Sequence, residues 1–565
     1  YAIAIDGGEA QRIAAPPRDV EGYALSSDGR SLYLIAKDKE PESKAKLKKH
    51  GFVAQLYEEQ DEPSRLWHYH LDEQGLASGE PQQLALTGHV MAVQLNPQGD
   101  RMAIQASPSA RIDDQLMASE LRITDNRGQL RATLAHRGKL GAFRFNPAGD
   151  QLLFIGSEDQ HDPAEGRLLL ADVASGKITD LLPDFAGHVS AIDWLSDRQA
   201  LYIAAINSSS RLAMVNLDKG QATTLIAEQS GSEVLRQLDA SDNGQIALLA
   251  DSWQHPTEVF VLPTAGKPLQ RLTISNPLLE TRELASQQLL TFKGKDGLEL
   301  EGVLVKPLRY NEGQRYPLLM FVHGGPEAHV ANGWVSRYAN PAQVAAAAGY
   351  ASFFPNYRGS TGRGVAFSKL GQGDPAGAEF DDLVAAKEHL VAMGLADSSK
   401  VGITGGSYGG YATAWGATAQ SQHFAAGVMF VGLSDLISKF GTTDIPNEMY
   451  LVHYRQWPWQ QWQKLLERSP IFHAEKHRTP LLIMHGEEDT RVAPSQSLEL
   501  YRYLKTLNQA PVRLVLYPGE GHGYKKAAAQ LDYARRLMQW MDFYLRDNGK
   551  GLPADLDHSA ALTAP

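Results

Sequence analysis

A pair of short strands joined by an Asp/Asn/Gly turn recurs through the first half of the chain at a spacing close to 50 residues. Residues 23–35, 91–104 and 141–155 are clear copies, and looser ones run from 191 to 203 and from 235 to 248. Gly99 and Gly149, in the turns Asn96-Pro97-Gln98-Gly99-Asp100 and Asn146-Pro147-Ala148-Gly149-Asp150, lie 50 residues apart. One such unit cannot bury its apolar faces alone, so a period of this size with strand-turn-strand content predicts the stacked blades of a β-propeller. Each copy begins with a further hairpin, as in 66–72 followed by 81–84, which makes four strands per blade. On this reading five complete repeats begin near Tyr1, Leu66, Glu120, Arg167 and Arg211, and a half repeat at 258–273 runs into a linker. The pattern is already under way at Tyr1, so native residues, including strands that close the ring, are expected to precede it.

The second half changes character: strand and helix patterns alternate, as a doubly wound sheet requires. Residues 288–305 read as a hairpin, 380–390 as an amphipathic helix, and Tyr533, Leu537, Trp540, Met541 and Tyr544 as the apolar face of a last helix. Within this stretch Gly405-Gly406-Ser407-Tyr408-Gly409-Gly410 lies between the apolar run 400–404 and the helix-compatible run 411–417. A serine at the tip of so tight a strand-to-helix turn needs neighbours without Cβ atoms, and the strained backbone presents its Oγ. Glycine-rich turns after strands also bind phosphate, so the residues that follow must decide.

They follow in the order Ser, Asp, His. The run 480–484 leads into His485-Gly486-Glu487-Glu488-Asp489-Thr490-Arg491-Val492, and 512–517 leads into Pro518-Gly519-Glu520-Gly521-His522-Gly523. Earlier, 316–322 leads into His323-Gly324-Gly325-Pro326. Serine is a weak nucleophile, so Ser407 needs His522 as base, and Asp489 to fix the imidazole tautomer and stabilise the imidazolium. The backbone N–H groups of Tyr408 and Gly325 are expected to form the oxyanion hole, one such donor being worth about 2.7–4 kcal/mol. Glu487 and Glu488 are the rivals to Asp489.

These motifs, with Asn356-Tyr357-Arg358-Gly359-Ser360-Thr361-Gly362, resemble the prolyl oligopeptidase family of serine peptidases. His-Gly-Gly-Pro and Asp-x-Arg-Val point to its acylaminoacyl-peptidase and dipeptidyl-peptidase-like branch. The resemblance implies a seven-bladed propeller, incomplete at its amino terminus, followed by an α/β-hydrolase with a doubly wound, mostly parallel sheet. The expected division is 1–275 propeller, 276–547 hydrolase and 548–565 irregular tail. By motif position Arg491 resembles the residue that binds a substrate carbonyl, and Tyr408 and Val492 resemble residues lining the side-chain pocket. A local ion pair of Arg491 with Glu487 or Glu488 is the alternative. Residues 457–462, Trp-Pro-Trp-Gln-Gln-Trp, lie where hydrolases insert pocket-covering helices, and aromatic packing explains them equally well.

The expected activity is hydrolysis of short peptides through an acyl-enzyme on Ser407, as oligopeptidase, acylaminoacyl peptidase or dipeptidyl peptidase. An esterase for small acyl esters is the alternative, and a non-catalytic propeller binding protein the remote one. A formal charge of −11 and pI near 5.9 argue against nucleic acid as partner. No apolar run approaches the roughly 18 residues of a membrane span. With no cysteine, disulfides and thiolate metal sites are excluded, and no metal or cofactor is called for. A soluble protein is expected, with cytoplasm and an oxidising compartment (periplasmic or secreted) both open, and a homo-oligomer also open. The charged stretch 37–64 reads as a solvated loop or a long hairpin toward the active-site face. Its Glu58-Glu59 invites comparison with the paired glutamates that hold a substrate amine in dipeptidyl peptidases, although the surrounding residues do not reproduce that motif.

Overall fold

The computed structural model describes residues 1–559 except 60, 230, 232 and 264–266. Residues 560–565 of the expected tail, Gln60 of the charged stretch and 264–266 of the expected half repeat thus lie outside the described residues. Five four-stranded antiparallel meanders follow one another at 20–83, 89–133, 140–180, 188–226 and 234–271. Their turns repeat in detail: Asn96 Oδ1 accepts from the N–H groups of Asp100 and Arg101, and Asn146 Oδ1 from those of Asp150 and Gln151, all at 3.0–3.1 Å. Gly99 and Gly149 both have φ 72°, which glycine adopts without steric cost. Side chains alternate between the two faces of each sheet. Leu152 and Phe154 pack toward Leu121 and Ile123 of the preceding sheet, while Leu153 and Ile155 pack toward Val189 and Tyr202 of the next.

The sheets fall half a repeat out of step with the sequence reading. Leu66 opens no blade but lies in Ser64–Leu71, the third strand of the first sheet, paired with Ser31–Lys37 from Lys37↔Ser64 onward. Residues 258–273 supply the outer strands of the fifth sheet, and residues 1–19 hold the single bridge Ala2–Gln11 in place of a four-stranded repeat at Tyr1. A periodic pattern fixes the repeat length but leaves its phase to whichever hairpins pair. The charged stretch is likewise no hairpin: it contains helix α1, Glu42–Lys49, with no buried residue. A second short helix, α2, Ile112–Met117, leaves the second sheet.

From Gln287 the chain builds one eight-stranded sheet. Its strands are β1 Gln287–Lys293, β2 Glu299–Val305, β3 Tyr316–Val322, β4 Ala351–Asn356, β5 Ala396–Gly406, β6 Ala426–Phe430, β7 Leu481–Gly486 and β8 Val512–Tyr517, in the order β1-β2-β4-β3-β5-β6-β7-β8. The hairpin β1–β2 and the β2–β4 pair are antiparallel and the remaining pairs parallel. Both faces are covered, which is why β3 is a continuous apolar run. Leu318, Met320 and Val322 pack with Phe380 and Leu383 of helix α3, Ala378–Ala392, while Leu319 and Phe321 pack with Leu537 and Trp540 of the last long helix, Ala527–Met541. The tail after it docks: Arg536 pairs with Asp555 at 2.6 Å, and Arg513 donates to Pro553 O at 2.7 Å.

The fourth and fifth meanders meet the eight-stranded sheet through buried polar contacts. Ser208 Oγ donates to Glu301 and accepts from Asn356 Nδ2, at 2.5 and 2.8 Å. Asp251 accepts from Trp334 N at 2.7 Å while paired with Arg236.

Candidate active site

Strand β5 runs into Ser407, and helix α4, Tyr408–Ala417, starts at the next residue. Ser407 has φ 58° and ψ −118°, a conformation that costs a non-glycine residue on the order of 1–3 kcal/mol. The turn is tight because the helix folds back over its own strand and over β3. A Cβ on Gly405 would lie 2.3 Å from Val322 O, and one on Gly409 2.0 Å from the same oxygen. Ser407 N donates to Phe430 O at 3.0 Å, which ties the strained residue to β6.

Ser407, Tyr408, Gly325, Arg491, Val492 and His522 all line one cavity of about 380 Å³. Asp489, the seventh residue expected at the site, lies behind it with a fully buried side chain, its Oδ2 2.8 Å from His522 Nδ1. A carboxylate accepts, so Nδ1 of His522 carries the proton and Nε2 keeps its lone pair. Asp489 Oδ1 accepts from the N–H groups of Arg491 and Val492 at 3.0 and 2.9 Å. Burial opposes the charge on Asp489, but bonds from His485 and His522 outweigh it and hold the carboxyl well below the usual range. Glu487 and Glu488 are exposed and leave the imidazole to Asp489.

His485 was absent from the expected set. Its Nε2 lies 2.8 Å from Val492 O and 3.2 Å from Asp489 Oδ2, and its Nδ1 2.6 Å from Ser497 Oγ. Since a carbonyl only accepts, Nε2 carries the proton and Nδ1 receives one from Ser497. The acid therefore has two imidazole neighbours.

On the other side of Ser407, the loop after β3 is fixed by Tyr357, whose ring stacks on His323 and whose hydroxyl donates to His323 O at 2.9 Å. The N–H groups of Gly325 and Tyr408 have no hydrogen-bond partner among the described residues. That of Tyr408 is the first of a helix, one of the donors a helix leaves unsatisfied. The Tyr408 hydroxyl donates to Glu379 Oε1 at 3.0 Å, and burial pushes the Glu379 carboxyl up to about 7.

Leu433, Leu436 and Tyr454 add apolar wall beside Tyr408 and Val492. Arg491 Nε pairs with Asp444 at 2.7 Å, so its ionic partner is neither Glu487 nor Glu488 but an acid that the sequence reading did not consider. Lys439, also on the cavity, donates to Thr443 Oγ1 and to Arg491 O; burial and then the Arg491 charge lower its ammonium to about 7. The Trp-Pro-Trp stretch packs outside this wall, Trp457 stacked between Tyr450 and Trp459. Glu58 and Glu59 do not line the cavity, and Glu58 lies 3.8 Å from Arg111 in a separate groove. No group of three or more His, Asp or Glu side chains arranged to hold a metal ion occurs among the described residues.

Residues 336–548, which carry Ser407, Asp489 and His522, match the prolyl oligopeptidase family. The chain is 25% identical over 416 residues to dipeptidyl-peptidase 5 of Porphyromonas gingivalis, covering 71% of this chain and 59% of that protein. It is 29% identical over 370 residues to the acylamino-acid-releasing enzyme of Homo sapiens, covering 62% of this chain and 50% of that one. It thus spans 50–59% of the length of these relatives. A solved structure described as an acylaminoacyl peptidase in complex with Z-Gly-Gly-Phe-chloromethyl ketone superimposes with a TM-score of 0.79 at 21% identity, over 99% of this chain and 86% of that one. The shared fold is a propeller joined to an α/β-hydrolase. No helix among the described residues is long and apolar enough to cross a membrane.

Proposed function

We propose that the chain is a serine peptidase acting on short peptides, with Ser407 as nucleophile, His522 as base and Asp489 as its orienting acid. The observation that carries this is one cavity lined by both Ser407 and His522, with the imidazole held by a buried, charged Asp489. His522 Nε2 takes the Ser407 proton as Oγ bonds to the substrate carbonyl carbon. The resulting oxyanion sits on the free N–H groups of Tyr408 and Gly325. The C–N bond then breaks, the leaving amine takes the proton from His522, and the acyl group remains on Oγ. Water, deprotonated by the same nitrogen, returns the acid and free Ser407.

The proposed division of labour is meanders through residue 275, catalytic unit 276–547 and tail 548–565. On this reading the ring counts seven blades, the five sheets seen and two more, and admits short chains in preference to folded ones. Arg491, held by Asp444 at the cavity, would donate to a substrate carbonyl, and Val492 and Tyr408 would flank the side chain before the scissile bond.

The test is labelling by a fluorophosphonate, followed by digestion of a peptide library with free and acetylated amino termini. Wild type should label at Ser407 and Ser407→Ala should neither label nor turn over; labelling elsewhere sinks the assignment. Dipeptides released from free termini would identify a dipeptidyl peptidase, acetylated residues an acylaminoacyl peptidase, and internal cuts an oligopeptidase. Esters cleaved while every peptide survives would overturn the peptidase reading.

A further inference from the structure

The wall of the cavity facing the meanders is a short helical turn, Pro446–Glu448, continued by the π-helical Met449–Tyr454 and ended by Arg455 in the left-handed region at φ 62°. Ile445, Glu448, Met449, His453 and Tyr454 all line the cavity. A π-helical turn is rarely stable by itself and occurs where surrounding structure imposes it. Here the later half is held within the catalytic unit, His453 O accepting from Gly373 N and the Tyr454 hydroxyl donating to Leu436 O, while the first half is held by the meanders. Asp113 of α2 accepts from the N–H groups of Asn447 and Glu448 at 2.7 and 3.0 Å. Lys139, at the edge of the third meander, donates to Glu448 Oε1 and to Pro163 O. His161 Nδ1 donates to Leu451 O at 3.0 Å. Leu116, one turn from Asp113, lines the cavity itself.

The charges in this wall are matched. Lys139 and Glu448 form a pair with side chains only 10% and 7% exposed, and Glu327, two residues beyond Gly325, lies 2.8 Å from His453 Nε2. Without Lys139, Glu448 would be a buried carboxylate beside two further acids, Asp113 and Glu165, whose carboxyls burial and the Glu448 charge already push up. Like charges at that depth repel strongly, and the segment that carries Glu448 can relieve the repulsion by moving outward.

We infer that Asp113 and Lys139 are specificity-determining positioning residues: from the propeller side they hold the 445–454 wall at the distance from Ser407 that an apolar side chain fills. The inference rests on the Ser407 chemistry proposed above. It makes the propeller a part of the binding pocket and not only a filter in front of it. Neither residue reaches the reacting atoms, so their effect falls on groups that occupy the cavity and spares those that do not.

The experiment compares rates of covalent labelling of the full chain by two fluorophosphonates, one with a methyl group and one with a phenylethyl group that must enter the cavity. In Lys139→Met the ratio of the phenylethyl rate to the methyl rate should fall at least tenfold. Adding Glu448→Gln, which removes the stranded charge, should recover most of that ratio. Asp113→Asn, which leaves one acceptor oxygen, should lower the ratio less than Asp113→Leu. An equal slowing of both reagents, or an unchanged ratio, overturns the inference. If Lys139→Met fails to fold by circular dichroism, the two Asp113 variants decide. Absence of Ser407 labelling in the wild type, by contrast, is failure of the catalytic reading itself.

Discussion

At the scale of single residues, the arrangement turns on two acids in opposite electrostatic states. Asp489 is charged because imidazoles and backbone N–H groups surround it. Asn at this position can offer an amide N–H to His522 and reverse the tautomer, so Asp489→Asn should lower kcat by about 10³–10⁴-fold with little change in KM. Steady-state kinetics on any peptide identified as substrate would check this, and a loss below tenfold would remove Asp489 from its role. Glu379 is the converse: burial raises its carboxyl to about 7 while Tyr408 still bonds to it. A folded-state pKa above the unfolded one adds stability that is full below the unfolded value, near 4.5, and is lost as pH rises through 7. Glu379→Gln abolishes this dependence and keeps an acceptor for Tyr408. Its urea midpoint should therefore rise relative to wild type between pH 4.5 and pH 8, by the equivalent of about 3 kcal/mol. A parallel pH profile for the two proteins would contradict the buried, raised carboxyl.

At the scale of elements, the serine turn is bounded by strand backbone on both sides. A methyl group on Gly409 meets Val322 O at 2.0 Å, and a carbonyl within a parallel sheet cannot swing away as a side chain can. Gly409→Ala should cost about 1–3 kcal/mol of stability and reduce kcat more than KM, because β3 and the loop carrying Gly325 must shift together. Denaturant midpoints and kinetics of the one variant test both halves of the statement. Elements of this kind were legible in the sequence, since the unbroken apolar run 316–322, the glycines around Ser407 and the Asn-x-x-Gly-Asp turns each state a local rule that the fold obeys. The order Ser407, Asp489, His522 was legible for the same reason, each residue following an apolar run that became β5, β7 and β8. What stayed hidden depends on partners remote in sequence: blade phase, set by Lys37 pairing with Ser64; the Asp444 partner of Arg491; and the contact of Glu379 with Tyr408. His485 carried one available signal, since it stands four residues before Asp489 at the end of an apolar strand.

At the scale of the whole molecule, the meanders and the eight-stranded sheet share buried polar contacts. Asp251 is 3% exposed and serves both Arg236 and the backbone of Trp334. Asp251→Ala strands a buried N–H and should weaken the junction by about 1–3 kcal/mol. Scanning calorimetry should then resolve two transitions where the wild type shows one, and an unchanged single transition would mean that the junction is held elsewhere. The contact between Lys139 and Glu448 adds a consequence in time. These two residues are 309 positions apart, and at about 5–20 residues per second a ribosome needs roughly 15–60 s to pass from one to the other. A nascent chain therefore displays Leu116 and Lys139 long before the wall they meet exists, and the lysine waits in water until translation delivers the carboxylate that draws it inside.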